Sequence, residues 1–236
     1  MNTTPIQGPQ MASVDAQVAA IGVEPRAAFI ARTYNHLLGA IAAFTLLEIA
    51  YFQTGLAAPI ANALLSVNWL VVLGGFVLIS WIASRFAHTA ESIGVQYAAL
   101  SAYVFAQSLI FVPLLYIADY YAPGSIQSAA TLTLMGFAGL TGIAFWTRRE
   151  FSFMRALLPW AGMVAMLAIV GSVTFGLQLG TWFSIAMIGL AGVAILHDTS
   201  KVIHSFPEDR YVGAALELFA SVALMFWYVL SLVSRD

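Results

Sequence analysis

Glu48, Asp198 and Glu217 each lie inside, or at the edge of, a long apolar run, with a histidine, His197, directly before the second of them. Acidic groups are expensive to place in hydrocarbon, so carboxyls in such runs point to a proton-linked or cation-linked site or a water-lined cavity. His197 adds an imidazole that can set the pH range of its neighbour, since imidazole titrates near neutrality. Plainer readings exist for all three acids. Asp198 can pair with Lys201, three positions on, or with Arg210. Glu217 can reach the interface, and Glu48 can be a buried neutral carboxyl.

Other chemistries find no support. The chain has no cysteine, which removes disulfides, thiolate nucleophiles and cysteine-ligated metals. Its four histidines, His36, His88, His197 and His204, lie at segment ends, and no His-Glu-x-x-His string occurs. A zinc hydrolase needs several ligands converging on one open metal, so no metal site and no resident cofactor are expected. No nucleophile–base constellation is evident either, and the expectation is that the chain is not an enzyme. A retinal protein needs a deeply buried lysine. The sole lysine, Lys201, falls at the end of an apolar segment.

The elements that must position the acids are long and apolar. Of 236 residues, 61% are hydrophobic and only 8% charged, with a mean hydropathy of +0.88. A soluble domain carries about a quarter charged residues, so this surface suits lipid. The net charge of -2 leaves no basic face for nucleic acid. Runs of about 20 apolar residues, long enough to span a bilayer, fall near 36–57, 64–83, 94–118, 128–147, 156–176, 180–203 and 211–233. Pro59 and Asn62, Pro123-Gly124, Gly176 to Gly180, and Pro207 mark breaks between them. The fold class is therefore an all-α membrane protein, a seven-transmembrane-helix bundle. Residues 1–30 are expected to be a flexible cytoplasmic tail without a cleavable signal, and residues 31–236 the transmembrane domain.

Positive charge orients the bundle. Arg26 and Arg32 precede the first span and Arg85 follows the second. Arg148, Arg149 and Arg155 lie between the fourth and fifth, with Lys201 and Arg210 around the turn into the seventh. Only Arg235 lies at the other end, unless the last segment is re-entrant and returns it. The basic end, and with it the N-terminus, is expected in the cytoplasm of a multi-pass membrane protein. Tyr116, Tyr120 and Tyr121 read as an interfacial belt at the opposite end. Gly136, Gly139 and Gly142, with Gly189 and Gly192, read as close-packing positions. Pro113 and Pro159 can interrupt helices, but paired broken helices of the kind used by secondary transporters are not evident.

Three stretches carry a resemblance. Phe145-Trp146-Thr147-Arg148-Arg149-Glu150-Phe151-Ser152 is similar to a Thr-Lys/Arg-x-Asp-Leu-Ser loop after a fourth span. Ile195-Leu196-His197-Asp198-Thr199-Ser200-Lys201-Val202-Ile203 is similar to a Tyr-Asp-Thr-Gln-Lys segment ending a sixth. Ala215-Leu216-Glu217-Leu218-Phe219-Ala220-Ser221, followed by Leu224-Met225-Phe226, is similar to Ala-Leu-x-Leu-Tyr-Leu-Asp-x-x-Asn-Leu-Phe in a seventh. In order and spacing these resemble the Bax-inhibitor-1 (transmembrane Bax inhibitor motif) family, in a bacterial-type member, from about residue 30 to the end.

The resemblance implies a seventh span near the centre of the bundle and a pH-sensitive calcium leak linked to stress protection. It also implies a bacterial inner (plasma) membrane and two sensor aspartates, the first matching Asp198. Bacterial relatives are associated with a membrane protease, which makes a non-conducting regulator in such a complex the alternative to a route for calcium or other cations. The chain departs from the pattern at the second aspartate, where Ser221 stands, and at the asparagine, where Leu224 stands. Asp198 and Glu217 flank the turn at Pro207 and Glu208 at equal counts, so the expectation is that Glu217 replaces the missing aspartate. It would share a low-dielectric site with Asp198 while Ser221 donates a hydrogen bond. The competing expectation is that Ser221 disables the sensor.

Overall fold

The computed structural model describes residues 9–147, 150, 154–176 and 178–235, with side chains from residue 25 onward. Eight helices follow one another: α1 (Pro9–Gln53), α2 (Ala57–Ser66), α3 (Trp69–Thr89), α4 (Ile93–Tyr121), α5 (Ser125–Thr147), α6 (Met154–Phe175), α7 (Thr181–His204) and α8 (Tyr211–Val233). No strand occurs among the described residues. Seven of the helices are long and apolar enough to cross a membrane, the first of these spans being Pro25–Gln53. In hydrocarbon every backbone N–H and C=O must be satisfied within the chain, and apolar runs of this length satisfy them as helices.

The breaks have local causes. Gly124 and Gly176 adopt φ of +87° and +68°, a left-handed conformation that glycine reaches without steric cost, and they end α4 and α6. Asn68 starts α3 by accepting a hydrogen bond from the Leu70 backbone N–H at 2.9 Å, the usual capping role of asparagine. Pro113 and Pro159 lie inside continuous helices.

Three boundaries differ from the sequence expectation. The stretch containing Pro59 and Asn62 forms the ten-residue α2. Pro59 falls in its first turn, where a missing N–H costs no intrahelical bond, and the second span starts at Trp69 instead of 64. At the N-terminus, helical backbone extends from Pro9, through Pro25, into the first span, and Phe29 is buried in the core. Residues 26–30 therefore belong to the bundle and not to a tail. Finally, α8 crosses in full: Arg235 donates to the Leu179 carbonyl, in the α6–α7 connection, at 3.3 Å. That connection is at the end opposite Arg85 and Lys201, so the re-entrant alternative does not hold.

The core is arranged around α8, which packs against α7, α1, α5, α4 and α3. Its apolar side chains run through the two largest hydrophobic clusters, with Val212, Ala214, Ala215, Leu218 and Leu230 fully enclosed. The position inferred for the seventh span thus holds, although α4 is equally buried. At the periphery, α6 rests mainly on α7. Gly136 and Gly192 do bring α5 and α7 close to Met225. Gly139, Gly142 and Gly189 do not: a Cβ on each would meet nothing within 4 Å. The tightest approach occurs instead at Gly213, where a Cβ would lie 2.9 Å from the Ala87 carbonyl oxygen. Tyr120 and Tyr121 are exposed as belt residues, whereas Tyr116 packs on the small cluster under α2.

Candidate functional site

The last turns of α3 and α7 and the first turns of α8 meet at the basic end, and there the polar side chains converge. Ser221 Oγ donates to Asp198 Oδ2 at 2.6 Å, joining α8 to α7. The other carboxylate oxygen faces His197 Nδ1 at 3.2 Å. Both members of that His–Asp pair are largely buried, with 13% of each side chain exposed.

One turn nearer the basic end, Glu217 meets different partners. Lys201 Nζ lies 2.9 Å from Oε1 and 2.7 Å from Oε2, and His88 Nε2 lies 2.9 Å from Oε1. The structure therefore places Ser221 on Asp198, as the expected donor. It places Glu217 on Lys201 and His88 rather than on Asp198. Lys201, read as a possible partner of Asp198, belongs to Glu217.

Donor and acceptor counts define the protons of this cluster. His88 Nδ1 lies 2.6 Å from the Ser84 carbonyl, which can only accept, so Nδ1 carries a hydrogen. The Nε2 contact with Glu217 then needs a second proton between them, because a bare imidazole nitrogen and a carboxylate oxygen are both acceptors. With Lys201 donating to both oxygens of Glu217, the arrangement is a carboxylate clamped between an imidazolium on α3 and an ammonium on α7. Loss of the His88 proton would remove the link to α3 and leave the link to Lys201.

Charged groups nearby tie the same helix ends. Arg26 donates to the carbonyls of Ile203 (3.0 Å), Phe206 and Lys201 (3.3 Å), placing a cation on the C-terminus of α7. Arg210 pairs with Asp209 at 3.0 Å and donates to the Ala90 carbonyl at the end of α3. Arg85 is exposed, its guanidinium 5.8 Å from the centre of the Trp81 ring. Arg148 and Arg149, expected among the cytoplasmic basic residues, lie outside the described residues.

Glu48 stands apart from this network. It is five residues from the α1 terminus at Gln53, about 7.5 Å along the helix axis, and so nearer the tyrosine end than the mid-span position that a start at residue 36 implied. It is buried, 7% exposed, and neither carboxylate oxygen has a hydrogen-bond partner among the described residues. No group of three or more potential metal ligands occurs among the described residues.

The comparisons agree with this architecture. Residues 26–236 match the family described as Inhibitor of apoptosis-promoting Bax1. The chain belongs to the Bax inhibitor-1 family. Over 104 residues it is 31% identical to an uncharacterized protein, PA2604, of Pseudomonas aeruginosa, covering 43% of this chain and 46% of that protein. It is 28% identical over 117 residues to an uncharacterized membrane protein of Vibrio cholerae (47% and 50%). The same identity and length relate it to Protein LIFEGUARD 1 of Arabidopsis thaliana (47% and 49%). The chain thus spans about half the length of the curated relatives it matches. With seven apolar helices and membership of this family, it is a multi-pass membrane protein.

His88 is the site residue that the sequence reading did not single out. It is 129 positions from Glu217, and no local spacing links the two. The one signal was a histidine in the last turn of an apolar span, where its Nδ1 can be tied to the carbonyl four residues back.

Proposed function

We propose that this Bax inhibitor-1 protein is a proton-regulated leak for calcium or other cations in a bacterial inner membrane, its N-terminus and basic end in the cytoplasm. The observation that carries the proposal is the Glu217 clamp, which holds α8 to both α3 and α7 through a charge that a single proton removes. With the clamp formed, the basic ends of the three helices are locked together and the route is closed. Protonation of Glu217 would leave the Lys201 ammonium and the His88 imidazolium facing each other without a counter-charge. Like charges at such separation in a partly buried site repel, and α8 is freed at that end. The Ser221–Asp198 bond, one turn deeper, keeps the two helices in register while the clamp opens. Asp198 remains the inner carboxylate of the path.

The test is calcium flux into liposomes holding only the purified protein, at neutral and acid pH. Wild type is expected to pass calcium faster at acid pH. Glu217→Gln, which removes the charge but keeps the shape, is expected to be fast at both. Asp198→Asn should lower the rate while retaining the pH response. A Glu217→Gln profile identical to wild type would sink the clamp mechanism. If Ser221→Asp alone creates a pH response absent from wild type, the sensor was lost and not moved. Flux no greater than in empty liposomes at either pH would leave the regulator of a membrane protease or stress response, the reading that Ser221 in place of an aspartate favours.

A further inference from the structure

We infer that a second site, spatially separate from the clamp, takes an amphipathic organic amine from the bilayer. Its centre is Glu48. Glu48 and Thr133 are 7% and 2% exposed, and the oxygens of both side chains lack a hydrogen-bond partner among the described residues. Both line one cavity of about 370 Å³, within the range of small-molecule sites.

The cavity exists because two helices are held apart. The backbones of α1 and α5 make no close approach anywhere along their length. Towards the basic end Tyr34 bridges them through Phe137 and Phe145, ring centroids 6.4 and 6.0 Å away. Towards the tyrosine end nothing comparable fills the gap, which is floored by α4 and α8. Its rim at Thr45, Ile49 and Leu134 is exposed, and these residues belong to spans at hydrocarbon depth. The cavity therefore opens sideways into lipid.

Its chemistry selects the occupant. A buried carboxylate without a partner is costly and gains most from a cation. Calcium takes six to eight oxygen ligands. Glu48 and Thr133 supply three oxygens at depth, while Asp119 and Gln127 lie at the exposed edge. The remaining wall is apolar and aromatic, with Phe44, Phe52, Phe219 and Phe226. Such walls suit a ligand whose body is apolar and whose head is a single ammonium, held by the carboxylate, by the Thr133 hydroxyl and by ring faces. A lateral opening admits a molecule already dissolved in the membrane.

The experiment is saturation binding of tritiated 4-phenylbutylamine to the purified full-length protein, competed by unlabelled amine, by neutral 4-phenylbutanol and by excess calcium chloride. Wild type is expected to bind saturably and to be displaced by the amine but not by the alcohol or the salt. Glu48→Gln is expected to weaken binding at least about tenfold, the loss of a little over 1 kcal/mol of charge interaction. Ala130→Trp, which fills the cavity from a half-buried wall position, should abolish binding with the melting temperature retained, and it carries the test if Glu48→Gln does not fold. Equal competition by the alcohol, or unchanged binding in both variants, would refute an amine site. So would the absence of saturable binding to wild type. Displacement by calcium at amine-like potency would reassign the site to an inorganic cation.

Discussion

Substituting Gly213 by alanine tests the packing that sets the clamp. The added methyl would lie 2.9 Å from the Ala87 carbonyl oxygen, 3.3 Å from its carbonyl carbon and 3.5 Å from His88 Cδ2. The first two are backbone atoms of α3 and cannot swing aside, so the ends of α3 and α8 must part by about 0.5 Å to restore ordinary contact, an overpacking that costs about 1–3 kcal/mol. Alanine recovers about 1 kcal/mol of helix propensity over glycine, which leaves a net loss of about 0–2 kcal/mol, or about 1–3 kcal/mol relative to a glycine-to-alanine change that meets no clash. The same displacement stretches the 2.9 Å His88–Glu217 contact to about 3.4 Å at most and so weakens it, since His88 follows Ala87 directly. Denaturant titration of the purified protein measures the loss, with Gly139→Ala as the control because its Cβ meets nothing within 4 Å. Gly139→Ala should be neutral or slightly stabilising. A Gly213→Ala protein as stable as that control would refute the close approach of α3 and α8, and with it the geometry that delivers His88 to Glu217.

Arg26→Ala should lower stability by about 1–3 kcal/mol in the same titration, because it strips a charged donor from acceptors at the end of α7; Arg26→Lys should recover only part of this, having one point charge in place of a planar fork. A topology reporter in the 148–155 loop should report cytoplasm, and one in the 119–127 loop the opposite side. The reverse pattern would overturn the charge-based orientation.

Hydropathy made the seven spans legible because lipid leaves a chain few options. Glycine and proline made most breaks legible because they act on the backbone locally. Local rules failed where two of them competed. Pro59 reads as a stop in the sequence, but a proline in a first turn is a start, and the segment forms α2. The first span was begun at residue 36 because Arg26 and Arg32 precede it. In the folded bundle Arg26 turns inward to carbonyls on α7, a partner about 175 residues away. Depth matching placed Glu217 with Asp198, and the depth argument ignored the neighbouring helix. Lys201 is one turn nearer the basic end than Asp198, as Glu217 is relative to Ser221, so the two rungs pair in order: Asp198 with Ser221, Lys201 with Glu217. Adding α3 brings His88 to the second rung. Gly213 was passed over because its role depends on a carbonyl of another helix, which no residue pattern in α8 encodes.

The two sites share α8 but use different sides of it. At about 100° per residue, Glu217, Ser221 and Met225 advance slowly around one face, whereas Phe219, Val222, Ala223 and Phe226 centre roughly 150° away. The first face meets α7 and α3, with the proton-linked groups near the basic end. The second forms the floor of the Glu48 cavity, nearer the tyrosine end. A helix of 23 residues is stiff, so a displacement that opened the clamp would also change the width of the cavity floor. Met225 limits that displacement. Its side chain fills the close approaches at Gly136 and Gly192, beyond Ser221 from the clamp, and gives α8 a packing point on the first face. Motion about that point would be a tilt that displaces the basic end of α8, where Glu217 stands eight residues away.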